Sequence, residues 1–268
     1  MTLLDADSTT RLVERIAAAG VCLSSLEWLA ARADLRDSGA FGWKLVRLSI
    51  PSVLQAPYQS LADRMFGYRS VTMLLGVRFL AAFLLLAPNY SRPLRASLCV
   101  TLAVLAVLGR VRLALGMNSA DQMSLLIFAA LALGHLAGGK AASISLWFLA
   151  GQVCLAYFTA GWLKFRERGW RNGSFLITVL CSRTFGARRI GALLKSRPAL
   201  AVLPAMAVLI AEILFPVAVI APPTIMFGIL GCALLFHLSV GALMGLNDFT
   251  WTFPATYPAV IYCAACLR

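Results

Sequence analysis

At 268 residues, 60% hydrophobic and 13% charged, with a mean hydropathy of +0.83, the composition excludes an ordinary soluble domain. The net charge of +13 sits between apolar runs, where it reads as membrane topology and lipid-headgroup contact and excludes nucleic acid as a partner. Apolar windows of about 18 or more residues mark membrane helices, and eight spans of about 20 residues use roughly 160 residues, leaving no space for a large soluble domain.

Asp5 and Asp7 open the chain with no basic-then-apolar order, so no cleavable signal peptide is expected. Residues 1–11 read as a tail and 12–267 as a single transmembrane domain. The first candidate span, about 13–32, is amphipathic and contains Glu27. Residues 33–70 are mixed, with Trp43, Pro51 and Pro57, and read as an interfacial or re-entrant segment. Clearer spans follow at about 71–88, 94–116, 119–138 and 142–164. The stretch 165–197 is a basic, broken loop whose apolar piece, 174–181, is too short to cross. Then come 199–221, a sharp turn at Pro222-Pro223, and spans at 224–246 and 250–267. The expected fold class is an all-α polytopic integral membrane protein with seven to eight transmembrane helices. Neither an internal repeat nor a coiled-coil heptad is visible.

Orientation follows from the basic residues. Residues 32–70 carry six and residues 164–197 carry nine of the 24 lysines and arginines. This places the Lys164 end toward the cytoplasm of a bacterial membrane, with both termini outward if eight spans cross.

Lys164 ends a long apolar run in Tyr157-Phe-Thr-Ala-Gly-Trp-Leu-Lys164-Phe-Arg-Glu-Arg-Gly-Trp170. A lysine is costly in a membrane, and an amine in apolar surroundings releases its proton more easily. Helical spacing puts Val153, Tyr157 and Gly161 on its face: Gly161 admits a close neighbour and Tyr157 offers a phenol deeper in the span. The plainer reading is a lysine that snorkels to the interface. Glu212 lies in mid-span, where a carboxylate finds a partner or stays protonated; an interhelical hydrogen bond and a role in a site are both open. His237, Gly241 and Gly245 share one face, and Gly241-x-x-x-Gly245 is a close-packing motif. His237 therefore points at another helix, as a hydrogen-bond partner or a proton carrier. Asp121 opens a span and reads as a helix cap or a pocket residue. Arg78, Arg110 and Arg112 snorkel or pair with Glu27, Asp121 or Glu212. With two histidines, His135 being assigned to the interface, no metal is expected. Seven cysteines are scattered; Cys263-Ala-Ala-Cys266 has redox or metal spacing but lacks a second pair, and apolar packing is its default.

The segment Tyr157-Phe-Thr-Ala-Gly-Trp-Leu-Lys164 resembles the membrane part of vitamin K-dependent gamma-carboxylase and its bacterial relatives, the HTTM (horizontally transferred transmembrane) domain proteins. Phe236-His237 followed by Met244-Gly-Leu-Asn-Asp-Phe resembles the family's Phe-His segment at a similar spacing, and Glu212 falls where an acidic residue is frequent. The likeness extends over roughly residues 12–260. It implies a catalytic pair, Lys164 and His237, supported by Tyr157, Gly161, Glu212, Asp121 and Trp170. The cofactor it implies is a reduced quinone of the vitamin K type, with Lys164 as the base that deprotonates it, a role that requires a neutral amine. The carboxylase's large lumenal domain has no room here, its histidine ahead of the lysine helix is replaced by Asn118-Ser-Ala-Asp-Gln, and the basic-residue count places Lys164 on the opposite side. These departures argue against protein carboxylation and leave a simpler quinol and oxygen reaction, or no reaction. The alternative is a non-enzymatic membrane partner or maturation factor within a protein complex. A transporter ranks last because no repeat is visible.

Overall fold

The computed structural model describes residues 5–50, 58–88, 90–113, 118–184 and 186–268. Apolar runs punctuated by glycine and proline become fourteen described helices: α1 Ala6–Ala30, α2 Trp43–Val46, α3 Tyr58–Phe66, α4 Tyr68–Leu85, α5 Arg92–Arg112, α6 Ser119–Ala137, α7 Lys140–Arg166, α8 Arg168–Arg171, α9 Ser174–Cys181, α10 Arg188–Ser196, α11 Ala199–Leu214, α12 Pro223–Met244, α13 Asn247–Thr252 and α14 Tyr257–Cys266. The boundaries have local causes. Asn118 caps α6 by accepting from the backbone N–H groups of Ala120 and Asp121, while Asp121 accepts from the N–H of Asn118, a reciprocal box that satisfies orphan donors at the helix start. Gly138 and Gly139, both at positive φ, end α6 and turn the chain into α7. Pro222 and Pro223 start α12, and Gly245 at φ 70° stops it.

Among the described residues six helices are long and apolar enough to cross a membrane: α4, α5, α6, α7, α11 with its 3-10 extension to Val219, and α12. The chain is an all-helical integral membrane protein. Met73, Leu203 and Ile220 are each at least 74% exposed, apolar surface for which lipid tails are the matching solvent.

Among the described residues two of the expected spans do not meet that standard, so the count of seven or eight is not confirmed. First, α1 is 25 residues long but carries Arg11, Glu14, Arg15 and Glu27; it also begins at Ala6, inside the expected tail. Second, the expected span 250–267 is broken into α13, a 3-10 turn at Pro254–Thr256 and α14 of only 10 residues. Pro254 and Pro258 each lack the N–H that a continuing helix requires. The basic loop expected at 165–197 is largely helical, as α8, α9 and α10, with α9 matching the apolar piece at 174–181. The segment 33–70 contains short helices, and Pro51 and Pro57 lie outside the described residues.

The helices group into two compact units. The first runs from Glu14 to Ser145. In it α5 lies along α6, with Ala96, Cys99, Leu102, Ala120, Met123 and Ile127 buried. Arg112, expected to snorkel or pair with an acid, is instead 2% exposed. It donates from Nε to Phe66 O at 3.0 Å and from Nη2 to Leu35 O at 3.1 Å, beside the Trp43 ring. The second unit holds the described chain up to Val13 and from Leu146 to Arg268. In it α11 meets α8, α9 and α12, while α13 packs on α12.

Candidate functional site: a lysine–glutamate pair and a tyrosine–histidine chain

All the residues that matter on α7 are in the second unit. Tyr157, Gly161 and Lys164 lie along one side of that helix, as 3.6-residue periodicity requires. Gly161 touches α11: a Cβ there would lie 2.8 Å from Ile213 N and 2.9 Å from Glu212 Cβ. This close approach brings Glu212 beside Lys164 one turn further along. The Lys164 amine donates to both carboxylate oxygens, at 2.5 and 2.7 Å, so the mid-span carboxylate finds its partner on the neighbouring helix. The Glu212 side chain is 6% exposed and that of Lys164 21%. The pair is therefore buried on the acid side and partly open on the amine side. Lys164 Nζ also lies 5.4 Å from the centre of the Trp170 ring, a cation–π contact supplied by α8, and Phe175 meets Trp170 edge-on. The lysine that the resemblance implies as a base thus has a carboxylate partner on the neighbouring helix, an arrangement the sequence left open.

Two turns deeper on α7, Tyr157 Oη lies 2.6 Å from His237 Nε2 and 2.8 Å from Tyr257 Oη. One hydroxyl proton serves two neighbours, so one of those neighbours must donate back. The Tyr157 ring stacks on Phe215 with centroids 3.9 Å apart, and the His237 ring stacks on Phe253 at 4.8 Å. His237 is 2% exposed, and its Nδ1 is buried with no hydrogen-bond partner. The glycine face expected beside His237 has a definite occupant in α13: Thr250 Oγ1 would lie 2.3 Å from a Cβ on Gly241, and it donates to His237 O at 3.2 Å.

The structure thus brings together Lys164, Glu212, Gly161 and Trp170, and separately links Tyr157 with His237. Asp121 belongs to the first unit, where it is part of the α6 cap. Cys263 is buried and Cys266 exposed, and both are free thiols. Tyr257 was not singled out by sequence reasoning. Its signal was faint, a tyrosine in an apolar run immediately before a proline, which resembles an ordinary interfacial aromatic.

The first unit holds a second polar cluster. Glu14, wholly buried, ion-pairs with Arg95, and its other oxygen lies 2.6 Å from His135 Nε2. Arg95 also donates from Nη2 to Ala87 O and Pro88 O, at 3.0 and 2.9 Å. His135, at the end of α6, thus faces a buried carboxylate. Glu14, Cys99 and His135 offer three ligand atoms within 4.8 Å of one another, yet the guanidinium on Glu14 competes with any cation for the same carboxylate. This cluster is an ion-pair node between α1, α5 and α6. The clue available in the sequence was an acid and an arginine within helical apolar stretches, without a hint of their pairing.

Compared with family models, with curated proteins and with solved structures, the chain matches none of them.

Proposed function

We propose that the chain is an HTTM-type membrane protein whose second unit carries a membrane-embedded acid–base site acting on a reduced quinone of the vitamin K type, with Lys164 and Glu212 as the proton-exchanging pair and His237 as the group that meets the ligand. The observation that carries this reading is the bidentate Lys164–Glu212 contact at 2.5 and 2.7 Å on a membrane helix, partly open on the amine side. A quinol suits the residues present because His237 Nδ1 is an orphaned buried polar atom, which a ring oxygen would satisfy, and the rings of Phe249 and Phe253 lie beside that imidazole. When bound, the quinol supplies an acidic hydroxyl and two reducing electrons. Lys164 and Glu212 hold and move the proton, Trp170 orients the amine, and Tyr157 with Tyr257 holds the imidazole. Protein carboxylation is not part of this reading, and by the basic-residue count the Lys164 end faces the cytoplasm.

Oxygen uptake by the protein in lipid nanodiscs with reduced menaquinone tests the proposal. Uptake by wild type that Lys164→Ala abolishes, with the variant still folded, is the expected result. Equal uptake by the two proteins overturns it. A second reading, a non-enzymatic partner or maturation factor, is favoured by one feature: Lys164 occupies both Glu212 oxygens, as a tie between α7 and α11 would. That reading expects a stable partner to copurify in mild detergent, and a persistent monomer counts against it.

A further inference from the structure

From the last turn of α7 to the start of α11 the chain carries Lys164, Arg166, Arg168, Arg171, Arg183, Arg188, Arg189, Lys195 and Arg197 against the single acid Glu167. α10 is the ordered core of this excess. Its inner face is anchored: Leu194 packs with Leu180 and Ala201, and a Cβ on Gly191 would lie 2.7 Å from Leu180 O. With about 100° per residue, Gly191 and Leu194 point about 300° and 240° around the helix from Arg188. Lys195 falls about 20° from Arg188 and Arg189 about 100° away, while Leu193 and Ile190 lie at about 140° and 200°. The exposed surface is thus split into a cationic flank and an apolar flank, on either side of the anchored face. Leu193 is 51% and Ile190 36% exposed, and Arg188, Arg189 and Lys195 are exposed. Among the described residues none of these three cations, nor Arg183 or Arg197, pairs with a carboxylate.

From this geometry we infer that α10 lies in the plane of the membrane interface and binds an anionic phospholipid. The cationic flank holds the phosphate headgroup, and Ile190 and Leu193 enter the acyl boundary. A helix with one flank for each layer is the arrangement that seats an interfacial helix. Unneutralised arginines and lysines near a surface attract anionic headgroups. Arg188 and Arg189 also occupy the first turn of α10, the end where cations disfavour a helix, and an anion touching both removes that conflict. The inference is independent of the Lys164 site and rests only on the chain being a membrane protein.

Native mass spectrometry of the detergent-purified full chain decides it, with phosphatidylglycerol, phosphatidylcholine or inorganic phosphate added in turn. Wild type should retain phosphatidylglycerol in preference to phosphatidylcholine. The triple substitution Arg188→Gln, Arg189→Gln, Lys195→Gln should weaken that retention about 100-fold, and Leu193→Asp should weaken it with all cations in place. Should the triple variant fail to fold, raising salt from about 0.05 to 0.5 M on wild type serves instead, since screening shortens the reach of these charges. Equal retention of the two lipids, retention indifferent to salt, or an unaffected Leu193→Asp protein each overturns the inference. Displacement of the lipid by millimolar inorganic phosphate overturns it in favour of a free-phosphate site.

Discussion

The two buried carboxylates, Glu14 and Glu212, are held in different ways. Glu14 is fully enclosed, with Arg95 on one oxygen and His135 on the other, and Arg95 is itself tied to two backbone carbonyls. Glu212 has one partner, Lys164, whose side chain is 21% exposed and whose amine faces a tryptophan ring. Both oxygens of Glu14 are engaged by buried neighbours, one of them tied in turn to the backbone, which is the pattern of a structural lock. The Lys164–Glu212 pair sits near a helix end, on a flexible four-carbon stem that can release its partner. A charged pair in a membrane protein can therefore close a fold or serve a ligand, and the number of fixed partners on each member distinguishes the two.

Substitution sharpens this contrast, beginning with the node. Glu14→Gln leaves Arg95 buried without its counter-charge and is expected to cost about 3–5 kcal/mol, read as a large fall in unfolding midpoint in detergent micelles. Replacing both partners, as Glu14→Leu with Arg95→Met, should recover most of that loss; a double variant no better than the single one would break the assignment of a lock. Gly161→Ala comes next. Its methyl group would meet Ile213 N at 2.8 Å and force α7 from α11, at about 1–3 kcal/mol. Oxygen uptake should fall with it, because the same displacement parts Lys164 from Glu212; full uptake in a destabilised Gly161→Ala protein would separate the packing from the chemistry.

Glu212→Gln should be milder in stability, about 1–2 kcal/mol, since one of the two charge-assisted hydrogen bonds from Lys164 is lost and the other weakened while the amine can turn toward the interface. Its melting midpoint should fall well short of the Glu14→Gln loss, and equal losses would erase the distinction drawn between the two carboxylates. The smallest effect is expected from Tyr257→Phe, which removes one hydroxyl from the buried chain at about 0.5–1.5 kcal/mol. A pH profile of uptake displaced in this variant would place Tyr257 in proton movement, and an unchanged profile would confine it to packing.

Parts of the fold were legible at the level of residues. The apolar runs ending at Leu85, Ala137, Arg166 and Met244 announced their helices, because a backbone in lipid must satisfy its own hydrogen bonds. The end spans were less legible. Pro254 and Pro258 divide the last run, and α1 carries Arg11, Glu14, Arg15 and Glu27, of which only Glu14 is buried. At the site, Gly161 and Lys164 were read correctly as sharing a face, since helical period alone decides it. Tyr257 and the Glu14–Arg95–His135 node were not read, because each depends on contacts among residues distant in sequence.

By itself the sequence determined that this is a helical membrane protein, where its clearest helices start and stop, and that Lys164 shares a face with Gly161 and Tyr157. These follow from local rules: solvent preference, capping groups, proline and glycine, and a 3.6-residue period. Tertiary structure decided that Glu212 and not another acid meets Lys164, that His237 meets Tyr157, and that Arg112 serves carbonyls rather than a carboxylate. Period fixes which side chains share a face, but the partner of that face depends on which helices pack together, and that choice is made by the shapes of many side chains at once.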